Sequence, residues 1–182
     1  MKKVFVFLAD GFEEIEAITV IDMLRRAEIP TQTVSISDTK EVKGAHNVIV
    51  MADELIGNIA QADAAAIVLP GGMPGSTNLK NSEALKQIII AQNDDNAYIA
   101  AICAAPIVLA NAGVLEGRKA TCYPSFETQL VGATHLPGPV VIDDNIVTAH
   151  GPASASAFAL ALIELLKCND DAEEVAKGML LI

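Results

Sequence analysis

No tryptophan occurs among the 182 residues, and aromatic side chains make up only 4% of them. A core without large rings must be aliphatic, which suits a buried parallel sheet of Val, Ile and Ala strands covered by helices. Basic residues are scarce: 12 Lys+Arg stand against 23 Asp+Glu, a formal net charge of −11. Nucleic-acid binding and polybasic membrane anchoring both draw on an excess of Lys and Arg, so both are excluded as functions. Long apolar runs are missing too. Mean hydropathy is positive at +0.40, yet the longest run, Tyr98 to Ala110, is interrupted by Pro106 and falls short of the ~18 residues of a membrane span. Lys2-Lys3 followed by Val4–Ala9 imitates a signal peptide, but an acidic cluster begins at Asp10 and the stretch reads as a first strand. Cysteine is rare, odd in number and scattered (Cys103, Cys122, Cys168), the pattern of free thiols in a reducing, cytoplasmic setting.

What is present alternates regularly. Val4–Leu8 reads as a strand and Glu13–Ala27 as a helix; Thr33–Ile36, Asn47–Met51 and Ala65–Leu69 read as strands. Ser82 caps a helix running to about Gln92, Tyr98–Ile102 is a strand, and Ala105–Ala112 is a helix stopped by Gly113. Val140–Ile142 and Ile146–Ala149 flank a hairpin turn; the helix Ala155–Leu166 follows, and an Asp170/Glu173 capping box precedes a last helix through Lys177. There is no repeat, low-complexity tract or linker, so residues 1–182 form a single α/β domain with a mostly parallel sheet and helices on both faces. Ligands bind such sheets at the carboxyl ends of the strands. Asp10–Phe12, Gly71–Gly75, Cys103–Pro106 and His150–Pro152 therefore become the candidate segments.

Cys103 lies between a buried strand and a helix start, with Ala101, Ala104 and Ala105 small enough for a sharp nucleophile elbow. The helix N-terminus beside it is expected to favour thiolate. Cysteine is also a common small core residue, and placement alone leaves both readings open. Glu16 falls on the apolar side of its helix, with Val20, Met23, Leu24 and Ala27, where a carboxylate is costly unless partnered or protonated. Ile15 and Ile18 turn toward the charged side, so a second covering surface is expected, most simply a homodimer partner. Gly71-Gly72 after a strand lets backbone N–H groups approach a ligand, though it matches neither a Walker loop nor G-x-G-x-x-G. His46, His135 and His150 show no metal-ligand spacing with Cys, Asp or Glu, so no metal site is expected. His150 alone ends a strand where it could approach Cys103.

The ordered set ADGFEEIEA, VLPGGMPG, AAICAAP, ATCYP and HGPASASAFALALIELL resembles the ThiJ/PfpI superfamily, specifically its DJ-one branch. The resemblance implies a flavodoxin-like three-layer sandwich, usually a homodimer, working without a cofactor. It implies that Cys103 is the reactive nucleophile and Glu16 its protonated hydrogen-bond partner, with Gly72 and Ala104 N–H groups lining an oxyanion pocket. Protease-type relatives carry a histidine at the position of Ala104, which argues against peptidase activity here. Many DJ-one relatives place a pocket histidine where this chain has Tyr123, and some place an arginine where it has His46. The implied activity is on small reactive aldehydes or glycated adducts, of the glyoxalase or deglycase type. The alternatives are an oxidative-stress sensor or chaperone acting through Cys103 oxidation, or an amidase-like hydrolase if His150 reaches the thiol.

Overall fold

The computed structural model describes residues 2–182. The chain opens with β1 (Lys3–Leu8), crosses through α1 (Glu14–Arg26) to β2 (Thr31–Ser35), and makes a small hairpin of β3 (Glu41–Lys43) and β4 (Ile49–Met51). A short β5 (Glu54–Leu55) leads to β6 (Ala64–Leu69), then α2 (Gly75–Asn81), α3 (Glu83–Asp94), β7 (Tyr98–Ile102) and α4 (Pro106–Asn111). Two-residue strands β8 (Lys119–Ala120) and β9 (Thr134–His135) precede the β10 (Val140–Asp143)–β11 (Ile146–Ala149) hairpin, and α5 (Ala155–Leu166) and α6 (Asn169–Gly178) close the fold.

Seven strands form the central sheet in the order β10-β11-β7-β6-β1-β2-β5. Every pairing in it is parallel except β10 with β11. Alternate residues of each strand serve opposite faces, as a period of two requires. Val4, Val6 and Leu8 pack with Ala66, Val68, Ala100 and Ile102 under α1, α5 and α6. Phe5 and Phe7 pack with Ile67, Leu69, Ile99 and Ala101 under α2, α3 and α4. Three aliphatic layers result, the α/β sandwich expected from the alternation of elements. From β1 the chain first steps to β2 on one side, then later to β6 on the other. Such a reversal opens a crevice at the strand ends.

Three elements coincide with the residues read from sequence, Tyr98–Ile102, Ile146–Ala149 and Ala155–Leu166, and Ser82 caps α3 by accepting the Leu85 N–H at 3.3 Å. Three local features differ. Asn47–Met51 shortens to Ile49–Met51 and pairs only with Glu41–Lys43, outside the main sheet. The helix α2 follows directly on the glycine-rich segment. The last helix starts at Asn169 with extended Cys168 as its cap and no side-chain capping bond, and Glu173 instead accepts from Asn169 at 3.1 Å. No helix among the described residues is long and apolar enough to cross a membrane.

Candidate active site

β11, β7, β6 and β1 are consecutive in the sheet, so their carboxyl-end loops lie side by side. Backbone hydrogen bonds lock these loops together: Glu13 N–H to Gly71 O (2.9 Å), Gly75 N–H to Gly11 O (3.2 Å), Cys103 N–H to Ala149 O (2.8 Å). The four segments singled out in the sequence thus converge on one place.

Cys103 sits at the turn out of β7 with φ +64°, a left-handed conformation rare for a side chain other than glycine. Such a conformation costs roughly 1–3 kcal/mol and persists only where the surroundings enforce it. Here both its peptide groups are held, the N–H by Ala149 and the carbonyl by the Tyr123 N–H at 2.8 Å. Ala101, Ala104 and Ala105 are buried around the turn, and the thiol itself is almost covered, with Cys103 8% exposed.

Glu16, in the first turn of α1, is wholly buried beside it. One carboxyl oxygen, Oε2, accepts the Gly71 N–H at 2.8 Å. The other, Oε1, is buried without a standard hydrogen-bond partner, which makes it the oxygen suited to hold a proton. Gly71 is the hinge of this arrangement. A Cβ there would lie 2.6 Å from both Cys103 Cβ and Glu16 Oε2, so any side chain would wedge the pair apart.

Burial raises both groups, and the charge of Glu16 adds to the rise at the thiol. Burial first, and then the charge of Glu13, push Glu16 up to about 7; the hydrogen bonds with Cys103 and Gly71 pull the other way. For the thiol, burial again leads, followed by the Glu16 charge and its hydrogen bond, pushing Cys103 up to about 12. The Gly72 and Ala104 N–H groups bear on the sulfur and pull it down, without outweighing burial. The expectation that the following helix would leave Cys103 a ready thiolate is therefore corrected: α4 has only six residues and begins three positions further on. Near neutral pH Glu16 is divided between acid and carboxylate rather than simply protonated. A proton on the carboxyl removes the repulsion that holds the thiol protonated, so ionisation at sulfur is tied to proton uptake by Glu16.

The remaining sequence candidates fall around this pair. Tyr123 is 45% exposed at the mouth, its ring against Gly151. Imidazole Nδ1 of His150 lies 3.0 Å from Ser154 Oγ, and the residue lines a cavity of 320 Å³ with Cys122, His135 and Pro139. Cys122 is buried, its thiol pushed up to about 11 by burial and the Glu127 charge, whereas exposed Cys168 donates to Asp171 Oδ2 at 2.9 Å. His46 departs from its sequence reading. It is joined to Glu14 Oε2 at 2.9 Å and lies 3.7 Å from Glu13 Oε2, a cluster that spacing along the chain could not reveal. The Glu14 hydrogen bond, then the Glu13 and Glu14 charges, hold that imidazole above its usual range.

The sequence profile of the DJ-1/PfpI family matches residues 2–165. Protein dj-1beta of Drosophila melanogaster is 38% identical over 181 residues, covering 98% of this chain and 97% of that protein. A Schizosaccharomyces pombe protein named glutathione-independent glyoxalase DJ-1 is 32% identical over 189 residues, covering 98% of each. Two Arabidopsis thaliana relatives, Protein DJ-1 homologs B and A, are longer: the chain spans 40% and 47% of them at 38% identity. The solved structure of oxidized Toxoplasma gondii DJ-1 superposes with a TM-score of 0.95 at 40% identity, covering 99% of this chain and 98% of that one. Sequence, fold and the placement of the motifs agree, and the chain belongs to the DJ-1/PfpI family.

Proposed function

We propose that the protein is a cofactor-independent, cysteine-dependent enzyme that converts small 2-oxoaldehydes to 2-hydroxy acids. The observation that carries this reading is the single buried pair, Cys103 and Glu16, with Gly72 and Ala104 N–H groups turned to the sulfur. The S. pombe relative's name, a glutathione-independent glyoxalase, supports it from outside the chain.

In the first step sulfur attacks the aldehyde carbon while Glu16 carboxylate takes the thiol proton, so the reactive thiolate exists only as it is consumed. The carbonyl oxygen gains the electron pair of the broken C–O π bond and is stabilised by the two backbone donors. Glu16 returns its proton to that oxygen, giving a hemithioacetal. It then removes the hydrogen from the former aldehyde carbon and delivers a proton to the adjacent carbon, while the hydroxyl proton on the first oxygen passes to the neighbouring oxygen, leaving a thioester of the 2-hydroxy acid. Water hydrolyses the thioester and restores the thiol. The sequence is an internal redox exchange between two carbons plus one water, and it needs no external oxidant. A Glu16 titrating near 7 suits both directions of transfer at neutral pH. The test is formation of lactate from methylglyoxal by the purified chain without glutathione; absence of turnover would refute the proposal.

Deglycation would use the same thiol and proton shuttle on a larger adduct. The amidase reading has less behind it, because Nδ1 of His150 is engaged with Ser154 rather than offered to the thiol. Ala104 likewise supplies no imidazole beside the nucleophile.

The same reading includes a homodimer. Ile15 and Ile18 of α1 are 58% and 42% exposed, and Val48, Ile49 and Met51 at the neighbouring hairpin are more than half exposed. Ile18 and Met51 line one depression, so helix and hairpin present a continuous apolar face. Small-angle scattering is expected to give about twice the 19.1 kDa chain mass for the native protein. With Ile18→Glu and Met51→Glu combined it should give the single-chain mass. A native monomer at micromolar concentration would contradict the dimer.

A further inference from the structure

We propose that the candidate site admits uncharged aldehydes and turns away anionic ones, and that Glu13 is the residue that sets this selectivity. That the electrophile is an aldehyde rests on the proposed function, whereas the selection by charge rests on the rim of the site. None of the 12 Lys and Arg residues falls in the four converging loops or in Glu13–Glu16, while Asp10, Glu13, Glu14 and Glu16 all do. Lys43 is bonded to the first of these loops through its backbone, its N–H donating to Asp10 Oδ1 at 2.9 Å. Both of those side chains are exposed, and exposed charges are screened over about 8 Å in physiological salt. The large uncharged side chains at the mouth are Tyr123 and Met73, the latter 50% exposed directly after Gly72.

Glu13 differs from these surface charges in being built against the reacting groups. Its N–H donates to Gly71 O at 2.9 Å, while the Gly71 N–H donates to Glu16 Oε2 at 2.8 Å. On the next residue, Gly72, a Cβ would run into the Glu13 nitrogen. Residue 13 is thus packed on both glycines, one serving Glu16 and the other turning its N–H to the sulfur. Its carboxylate side chain is only 14% exposed, and a charge so covered is screened far less than one in solvent.

The neighbouring groups do not cancel that charge. Nδ1 of His46 approaches Glu13 Oε2 at 3.7 Å but lies 2.9 Å from Glu14 Oε2. One imidazolium between two carboxylates still leaves a net negative charge, and a neutral imidazole leaves more. The field reaches the reacting groups, since the Glu13 charge is among the causes that raise Glu16. A carboxylate or phosphate on an incoming molecule meets the same field, and a cleft lined by one sign of charge focuses it. At about 10 Å and an effective dielectric of about 20, two like unit charges slow an approach roughly tenfold or more. An uncharged aldehyde meets no such penalty, so the site discriminates by repelling the wrong molecule.

The test uses two alkylating reagents of nearly equal size, neutral iodoacetamide and anionic iodoacetate, on the full chain at neutral pH and low salt. Their rates at Cys103 are followed by mass spectrometry and compared with those of the same thiol in the urea-unfolded chain. The thiolate fraction is common to both reagents, so their rate ratio isolates the effect of charge. The native ratio should favour iodoacetamide about tenfold more than the unfolded ratio, and Glu13→Gln should abolish most of that preference. Glutamine keeps the backbone bond from residue 13 to Gly71, so circular dichroism of Glu13→Gln should match the native chain. Asp95→Asn removes an equal charge at the end of α3 that precedes β7, the far end of that strand from Cys103, and should leave the ratio unchanged. A native ratio equal to the unfolded one would overturn the proposal. So would a ratio unmoved by Glu13→Gln or moved as far by Asp95→Asn, or no reaction at Cys103 with either reagent. Lactate formation from methylglyoxal is read separately: its absence beside the expected ratio refutes the enzymatic reading alone.

Discussion

Cys103→Ser is expected to lower methylglyoxal turnover roughly a thousandfold or more, to the level set by the pocket and buffer alone. The substitution changes one atom, keeps the volume of the turn, and preserves both backbone bonds that hold residue 103, to Ala149 and Tyr123. Folding should therefore survive, with a circular dichroism spectrum and melting temperature close to those of the native chain. A hydroxyl ionises far less readily than a thiol, and a single Glu16 of pKa about 7 is too weak a base to compensate. Loss of rate should appear in kcat, since the interaction is made only as the new bond forms. Retention of more than a tenth of the native rate would remove Cys103 from the chemistry and return it to the core.

Glu16→Gln carries the second large effect, and it is read in stability rather than rate. In the unfolded chain Glu16 titrates near 4.5; in the fold, burial raises it to about 7. Below about pH 4.5 the carboxyl is neutral in both states and the contribution to stability is fully present. Between these values the unfolded chain has released a proton that the folded chain still holds, so stability falls as pH rises. Above about 7 the loss is complete, about 3 kcal/mol for a shift of this size. Glutamine cannot titrate, so the difference in unfolding free energy between native protein and variant should change by that amount from pH 4.5 to 8, in favour of the variant at high pH. For a domain this long, 1 kcal/mol moves the melting temperature roughly 2–4 °C, so the gap should shift by roughly 6–12 °C. Parallel melting curves across that range would show that Glu16 is not desolvated in the way its burial implies.

Much of the architecture is legible in the sequence because the physical signals are local. Tyr98–Ile102 and Ala155–Leu166 announce themselves by composition, and the apolar face shared by Glu16, Val20, Met23 and Leu24 already turns one carboxylate inward. The functional residues are less evenly readable. Cys103 and Glu16 could be named because an elbow and a misplaced charge are local anomalies. Gly71 could not be distinguished from Gly72, because its role depends on a wedge of space between β7 and α1 that exists only after folding. The ionisation of Cys103 is misjudged from sequence for a related reason: helix placement is visible along the chain, whereas burial against Glu16 is not. The approach of His46 to Glu13 and Glu14 is invisible to spacing rules, because it forms across a long loop and not along one element.

The central claim is that Cys103 and Glu16 act as one proton-sharing unit. Its most direct measurement is the rate of Cys103 alkylation against pH, in native protein and in Glu16→Gln, with modification at residue 103 followed by mass spectrometry. The pair loses its first proton near 7, so the native rate should rise through an inflection there, well below the ~8.5 of a free thiol. In Glu16→Gln that inflection should vanish, leaving a rate that climbs only at higher pH. An inflection at or above ~8.5, unchanged by Glu16→Gln, would contradict the account.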